Sequence, residues 1–161
     1  APVTYIDVWK DENFTMGVFV LKPGSKIPLH DHPQMYGLIK VIYGSCAVKS
    51  FSIKKTSNGS SVDLSFQTPI QVCRHPTVNA TTSSDVITLT PDVANFHEIS
   101  TLETPIAFFD VLFPPYNDEE ERSCNYYKEI KNDNLTETEL VKIDAPVEYW
   151  TNSEVYRGPT I

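Results

Sequence analysis

The feature that most constrains the fold is a pair of histidines, His30 and His32, separated by one residue in a strand-like segment. On an extended strand successive side chains point to opposite faces, so these two imidazoles share a face. Two imidazoles on one face are half of a metal site. Gly24 precedes the pair and Gly44 follows it, each at a turn position. The fold must therefore bring at least one further ligand to this face.

The spacing Gly-x5-His-x-His-x11-Gly resembles the first signature motif of the cupins, small β-barrel proteins that hold a metal inside. The usual cupin motif also supplies a glutamate ligand, at a position that falls here on Gly37 or Tyr36. No carboxylate is available at that position. The resemblance implies a cupin, or double-stranded β-helix (jelly-roll), barrel.

The residue pattern independently predicts an all-β fold. Segments rich in β-branched and aromatic residues alternate with polar positions and are separated by turns, with almost no helical periodicity. The predicted strands are residues 3–10, 16–22, 37–43, 45–55, 62–66, 70–74, 86–90, 95–99, 105–113 and 125–130. Residues 56–61 read as a hairpin loop, 117–122 as an acidic surface turn and 135–141 as one helical turn, and the tail after residue 141 reads as irregular. This pattern is typical of a sandwich or barrel with few short helices.

Length and charge limit the remaining possibilities. A chain of 161 residues suits one domain, 1–161, and can bury roughly two-thirds of its unfolded surface. The formal net charge is −8 and the basic residues form no cluster, so we expect no nucleic acid or membrane partner and favour a cationic substrate. No apolar run approaches a membrane span, which predicts a soluble protein. The start at Ala1-Pro2-Val3, without a methionine, suggests a fragment lacking an N-terminal arm.

Cysteine usage bears on the compartment. The three cysteines, Cys46, Cys73 and Cys124, are an odd number without regular spacing. This argues against a disulfide framework and for a reducing, cytoplasmic location. Four Asn-x-Ser/Thr triplets argue mildly the other way, although such triplets arise often by chance.

A metal needs at least a third ligand, and the two remaining histidines are His75 and His97. His97 follows a proline turn and opens a strand, in a segment that resembles a degenerate second cupin motif without its usual glycine and asparagine. His75 lies between Arg74 and Pro76 at the edge of a polar loop, where a structural role is the commoner one. A triad of His30, His32 and His97 would consist of neutral imidazoles only. Such a site leaves the metal more electrophilic than one with a carboxylate, which suits an anionic thiolate and O2.

Several motifs resemble the thiol dioxygenases that comprise animal cysteamine (aminoethanethiol) dioxygenase and the plant cysteine oxidases. They are Pro28-Leu29-His30-Asp31-His32-Pro33, Gly37-Leu38-Ile39-Lys40-Val41-Ile42-Tyr43-Gly44, Asp110-Val111-Leu112 running into Pro114-Pro115-Tyr116, and Cys124-Asn125-Tyr126-Tyr127. The resemblance spans nearly the whole chain. It implies that His30, His32 and His97 bind iron(II), with O2 as co-substrate.

The resemblance also implies roles for other residues. Asp110 would orient the substrate, and its position in an apolar strand marks it independently as a functional candidate, a carboxylate capping the following turn being the alternative. Cys124 and Tyr126 share a face and could form a thioether, or Cys124 could stay a free buried thiol. Tyr116 and Tyr5 would line the pocket, and simple packing is an equally good interpretation for Tyr5.

The implied reaction adds both atoms of O2 to a thiol to give a sulfinic acid. The three arginines lie far in sequence from the histidine motifs, which favours cysteamine or the N-terminal cysteine of a peptide over free cysteine. The resemblance further implies a monomer in the cytoplasm, and also in the nucleus, that senses oxygen through the N-degron pathway during hypoxia. The alternatives are a non-catalytic metal-binding cupin, a zinc or nickel cupin isomerase, and a binding barrel with histidines as core polar groups.

Overall fold

The computed structural model describes residues 1–55, 62–130 and 136–161, and these form thirteen β-strands and one turn of 3-10 helix at Asp118–Glu120. The strands are Val3–Lys10 (β1), Thr15–Leu21 (β2), Lys26–His30 (β3), Tyr36–Tyr43 (β4), Ser45–Ile53 (β5), Ile70–Arg74 (β6), Val78–Thr81 (β7), Ile87–Leu89 (β8), Phe96–Ser100 (β9), Ile106–Phe113 (β10), Tyr126–Ile130 (β11), Glu137–Ile143 (β12) and Thr151–Val155 (β13). The predicted all-β cupin barrel with few short helices is confirmed. Within the described ranges, none of the helical structure is long and apolar enough to cross a membrane.

The strands form two sheets. The front sheet has the order β13-β1-β2-β10-β4-β8, and the back sheet has the order β6-β12-β11-β3-β9-β5-β7. In the back sheet β6 also pairs with β5. This pairing closes β6, β12, β11, β3, β9 and β5 into a six-stranded ring.

The chain buries two apolar clusters, one on each side of the back sheet. The barrel core lies between the two sheets and includes Val3, Leu21, Ile27, Ile39, Val41, Ile99, Ile106 and Phe108. The ring core lies inside the six-stranded ring and consists of Leu29, Phe51, Ile70, Val72, Phe96, Tyr127 and Leu140. Strands β3, β9 and β11 therefore form a wall shared by both cores. Side chains that alternate along these strands enter one core or the other.

An irregular step in β3 sets which side chain enters which core. Ile27 faces the barrel core and Leu29 faces the ring core, although residues two apart on a regular strand share a face. The pairing of β3 with β9 shifts register between Ile27 and His30. Pro28 lies within this step, where it has no N–H to donate to the ladder. The step turns His30 to the same side as Ile27, into the barrel.

Three local predictions were wrong. The helical turn expected at residues 135–141 is strand β12 from Glu137 onward, because the buried Thr138 and Leu140 alternate with half-buried neighbours; Leu135 itself is outside the described residues. Residues 62–66 are not a strand, and the tail contains β13, which pairs in parallel with β1. The predicted loop at 56–61 falls outside the described ranges.

Candidate metal centre

Three histidine side chains converge at one end of the barrel core. His30 ends β3 and pairs across the ladder with His97 in β9, and His32 follows in the turn after β3. The ring centroids are 4.8 Å apart for His30 and His32, 4.6 Å for His30 and His97, and 4.8 Å for His32 and His97. One nitrogen from each ring lies within 4.8 Å of the others. The structure thus brings together the three histidines that the sequence singled out.

Hydrogen bonds fix which nitrogen of each ring faces inward. The Nδ1 of His30 lies 2.8 Å from the carbonyl of Pro28, which can only accept, so we assign the proton to Nδ1. The hydroxyl of Tyr116 donates to the carbonyl of Asp31 at 2.6 Å, so its oxygen must accept from Nδ1–H of His32 at 2.8 Å. Both rings therefore point an unprotonated Nε2 into the site.

The histidines are buried and neutral. Their exposed fractions are 7% for His30, 3% for His32 and 4% for His97. Burial lowers the pKa of His30 to about 4, and it lowers the pKa of His32 and His97 well below the ordinary value, with a further contribution from the neighbouring imidazoles. Neutral imidazole is the form that binds a metal, because the lone pair must be free.

The spacing of the inward nitrogens of His32 and His97 fits a single divalent metal, and the third inward nitrogen, from His30, lies within 4.8 Å of both. The Nε2 atoms of His32 and His97 are 3.2 Å apart. Two ligands at about 2.1 Å from one metal lie roughly 3.0–3.4 Å from each other in octahedral or tetrahedral geometry. Among the residues described, these three histidines are the group that meets this requirement, and it contains no carboxylate. The spacing and the inward lone pairs are what a shared cation requires.

The surroundings of Gly37 leave no space for a glutamate ligand at that position. Gly37 lies in β4 with no room for a side chain, since an added Cβ would be 2.8 Å from Cγ of Leu89 and 3.1 Å from a methyl of Leu112. Both leucines are buried. Apolar packing therefore leaves no room for a carboxylate at Gly37, and the other candidate position, Tyr36, is exposed and stacks on Phe113.

Asn95 holds the backbone of His32 and was missed by the sequence analysis. Its side-chain oxygen accepts the N–H of His32 at 3.0 Å, and its amide donates to the carbonyls of His32 at 2.7 Å and Thr90 at 2.9 Å. Asn95 is itself buried. Its position two residues before His97, on the same face of the chain, was the available signal.

Asp31, between His30 and His32, stabilises the site through hydrogen bonds on the side away from the metal, and the sequence analysis did not identify this role. Its carboxylate accepts from the backbone N–H of Asn125 at 2.9 Å, from the Asn125 amide at 3.1 Å and from the phenol of Tyr127 at 2.8 Å. Burial raises the pKa of Asp31, and these hydrogen bonds oppose the rise. A charged residue between two inward-facing histidines must point to the opposite side, into the ring. This was the available signal.

A cavity of about 100 Å³, the inner cavity, lies against the three histidines. By surface area most of its lining is apolar. The polar side chains in that lining, besides the histidines, are Asp110, Tyr116, Cys124, Tyr126 and Tyr149. The sequence predicts four of these five as site residues, and Tyr149 is the one that it does not predict.

Asp110 lies in β10 and its carboxyl group lines the inner cavity. Burial raises its pKa to about 7. In the described ranges no hydrogen bond or ion pair engages this carboxylate, so the interpretation of Asp110 as a cap for the following turn finds no support. Its charge is available to a ligand in the cavity.

Cys124 and Tyr126 lie together beside the histidines. Tyr126 pairs across the ladder with His30, and the two ring centroids are 6.5 Å apart. The thiol of Cys124 interacts with the phenols of Tyr116 and Tyr126, and desolvation by the surrounding protein raises its pKa to about 11. The residue as a whole is exposed, so it is not the simply buried thiol that was the alternative. The predicted shared face of these two side chains is present.

Tyr5 and His75 lie apart from the histidine group. Tyr5 lines a second, outer cavity, and burial together with Asp7 and Asp110 raises its pKa to about 12. The Nε2 of His75 lies 2.6 Å from the hydroxyl of Ser52, and the residue belongs to no metal-binding group in the described chain. His97, rather than His75, is the third histidine of the site.

Comparison with known proteins gives a consistent result. The PCO_ADO family model matches residues 1–161. The 2-aminoethanethiol dioxygenase of Mus musculus is 33% identical over 183 residues, covering 99% of this chain and 72% of that protein. The Homo sapiens protein of the same name is 32% identical, covering 99% and 68%. Plant cysteine oxidase 1 of Arabidopsis thaliana is 31% identical, covering 84% of this chain and 44% of its own length. The chain therefore belongs to the PCO_ADO family of thiol dioxygenases.

Proposed function

We propose that this protein is a non-haem iron(II) dioxygenase that oxidises the thiol of cysteamine, or of an N-terminal cysteine in a peptide, to the sulfinic acid. The observation that carries the proposal is a buried, neutral three-histidine group facing a small cavity with one unpaired carboxylate. The family membership and the names of the relatives support the same chemistry.

His30, His32 and His97 would hold the metal through their inward nitrogens. Bound iron(II) would supply deprotonation of the thiol and activation of O2. The overall reaction is balanced, because the thiol and O2 together contain every atom of the sulfinic acid and the sulfur supplies the electrons that reduce O2. It needs no external reductant.

The protein's own part is to bind and orient the aminothiol. Asp110 would pair with the substrate amine, because it is the carboxylate in the inner cavity and has no partner there. Tyr116 and Tyr126 would supply phenol hydrogen bonds at the same surface. The apolar remainder of the lining would keep out bulk water.

The charges of the inner cavity favour a substrate without a free carboxylate. Neither lysine nor arginine contributes to its lining among the described residues. Arg74 is paired with Glu129, and Arg122 lies 2.6 Å from Glu120. A free cysteine would place its carboxylate in this cavity unpaired, which is costly. Cysteamine and peptides with N-terminal cysteine avoid that cost.

We further propose that Cys124 and Tyr126 form a thioether during turnover, with O2 accepting the two hydrogens that are lost. Their adjacency supports the proposal. Intact mass before and after turnover, compared with a Cys124→Ala variant, tests it. Iron-dependent loss of two hydrogens in the wild type alone supports the bond, and an unchanged mass refutes it.

The cellular role follows the family resemblance. Oxidation of N-terminal cysteine would mark peptides for the N-degron pathway and would thereby report the oxygen level. The protein would act as a monomer in the cytoplasm and nucleus. Dependence of turnover on O2 concentration tests the sensing role. Saturation far below physiological O2 would contradict it.

The experiment that tests the function is O2 uptake on addition of cysteamine to anaerobically reconstituted protein. Iron-loaded protein should consume O2, whereas zinc-loaded protein and iron-treated His97→Ala should not. The alternative, a zinc or nickel cupin, draws support from the same three histidines. Full zinc occupancy without O2 uptake by the iron form would favour that alternative.

A further inference from the structure

A second cavity, the outer cavity, continues from the inner one toward the surface. Its volume is about 420 Å³. Five residues line both cavities, namely Phe19, Asp110, Leu112, Tyr116 and Tyr149. A thiol held at the histidines with a chain attached to it would therefore extend into the outer cavity.

Two carboxylates stand in one row across the floor of this space. In the front sheet Asp7 of β1 pairs with Gly17 of β2, and Gly17 pairs with Asp110 of β10. Cross-strand partners present their side chains on the same face. Asp110 lines both cavities, whereas Asp7 lines only the outer one.

The phenol of Tyr5 fills the gap between the two carboxylates. A Cβ added to Gly17 would lie 2.2 Å from Cε2 and 2.4 Å from the hydroxyl oxygen of Tyr5, so the ring lies directly over the glycine. The contributions of Asp7 and Asp110 to the raised pKa of Tyr5 place both carboxylates near this phenol. The order along the floor is Asp110, the ring of Tyr5, and then Asp7.

The spacing of the carboxylates matches a short extended peptide. Neighbouring strands are about 4.8 Å apart, so the Cα atoms of Asp7 and Asp110 are roughly 9–10 Å apart. An extended peptide advances about 3.3 Å per residue. With its N-terminal amine at Asp110, the peptide would bring the side chain of its second or third residue to Asp7.

Asp7 is available for a cation. In residues 1–55, 62–130 and 136–161 it forms no salt bridge, and Lys10 is the one basic residue in the cavity lining. Phe19, Leu112 and Pro115 offer apolar surface for an aliphatic stem. Lysine and arginine combine such a stem with a cationic end.

We propose that Asp7 is a specificity-determining residue that pairs with a lysine or arginine at the second or third position of a peptide substrate. The inference rests on the proposed function, since it takes the first residue to be a cysteine held at the histidines. It adds a recognition element beyond the reacting aminothiol.

The test uses peptides that begin with serine, so that binding to the iron-loaded protein is measured without oxidation. One set carries lysine at the second or third position, and the matched set carries norleucine, which has a similar stem without the charge. Calorimetry should show that the wild type binds a lysine peptide about two to five times more tightly than its norleucine match. The ratio should fall at high salt.

In Asp7→Asn the lysine-to-norleucine ratio should fall to about one, and in Asp7→Lys a glutamate peptide should become the preferred one. Asp85→Asn is the matched control, because it removes an exposed carboxylate next to β8 at the opposite edge of the front sheet, and it should keep the wild-type ratio. Equal binding of both peptides by the wild type, or an unchanged ratio in Asp7→Asn, would overturn the inference. Either result with normal oxidation of cysteine peptides would leave the proposed function standing, whereas no oxidation of any thiol would refute that function.

Discussion

At the scale of single residues, the candidate site depends on groups that hold the histidines in one orientation and protonation state. The carbonyl of Pro28 and the phenol of Tyr116 each engage Nδ1 of one ring and leave Nε2 free. The sequence could identify His30, His32 and His97, because the pattern of alternation and motif resemblance concerns residue types. It could not identify Asn95 or Asp31, because their roles depend on contacts between segments distant in the chain.

Replacing Tyr116 with phenylalanine should weaken metal binding. The change removes the acceptor for Nδ1–H of His32, which leaves a buried donor unpaired and frees the ring to rotate. We expect iron(II) affinity to fall about tenfold to a hundredfold in anaerobic competition with a chelator. Tyr149→Phe removes a phenol of the same cavity that bonds to Thr151 instead, and its metal affinity should match the wild type. Equal affinity in all three proteins would refute the proposed role of Tyr116.

Replacing Asp110 with asparagine should change how stability depends on pH in the metal-free protein. Burial raises the pKa of Asp110 from 3.8 to about 7, so the folded state holds this proton more tightly than the unfolded state. The carboxyl group therefore costs stability progressively as pH rises from about 4 through 7. At pH ~8 Asp110→Asn should be more stable than the wild type by roughly 4 kcal/mol, and near pH ~4 the two should converge.

Urea unfolding across this pH range measures the difference between the two proteins. Asp85→Asn, at an exposed position, should follow the wild-type curve. A constant difference between Asp110→Asn and the wild type at every pH would show that the Asp110 carboxyl group is not perturbed.

At the scale of strands and turns, most elements follow from local pattern, and the exceptions have identifiable causes. Alternation predicted β1, β4, β6, β9, β10 and β11 closely. It failed at residues 135–141, where a Thr-Glu repeat suits either a helical turn or a strand and the pairing with β6 and β11 decides. It also could not anticipate the irregular step at Pro28, which determines that Leu29 enters the ring core and His30 the barrel.

The turn before β9 contains a residue in a left-handed conformation. Ala94 has φ 54°, a left-handed conformation that costs a residue with a Cβ about 1–2 kcal/mol. After β9, the hydroxyl of Thr101 donates to the carbonyl of Lys22 at 2.9 Å and accepts the N–H of Ser25 at 3.1 Å.

Ala94→Gly should therefore stabilise the protein. Relief of the left-handed strain should outweigh the greater entropy of glycine in the unfolded chain and give a net gain of about 0.5–1 kcal/mol in urea unfolding. Ala47→Gly, in the regular strand β5, should lose about 1 kcal/mol. Destabilisation of similar size in both variants would contradict this explanation of the turn.

We expect Gly17 to be required for full activity, because the ring of Tyr5 lies directly over it. In Gly17→Ala the new methyl group should push the ring of Tyr5 aside and lower kcat/KM for a cysteine peptide about tenfold. In a Tyr5→Ala background the same change should have little further effect, because the obstructing ring is gone. Full additivity of the two changes would show that Gly17 acts independently of Tyr5.

At the scale of the whole molecule, the metal centre is built on a wall between two cores. The ring core fixes β3, β9 and β11 from behind, and the barrel core receives the histidines from their front. The sequence predicted the barrel and its family correctly. It did not predict the ring, because ring closure depends on the pairing of β6 with both β5 and β12, and no local pattern specifies which strands pair.

The proposed dioxygenase reaction at the three histidines is tested most directly by mass spectrometry of a peptide that begins with cysteine, incubated with iron-loaded protein under oxygen-18 gas. The peptide should gain about 36 Da, against about 32 Da in ordinary O2, because both atoms of one O2 enter the sulfinic acid. His97→Ala treated in the same way should leave the peptide unchanged. A product carrying only one labelled oxygen, or oxidation that persists in His97→Ala, would contradict the three-histidine thiol dioxygenase described here.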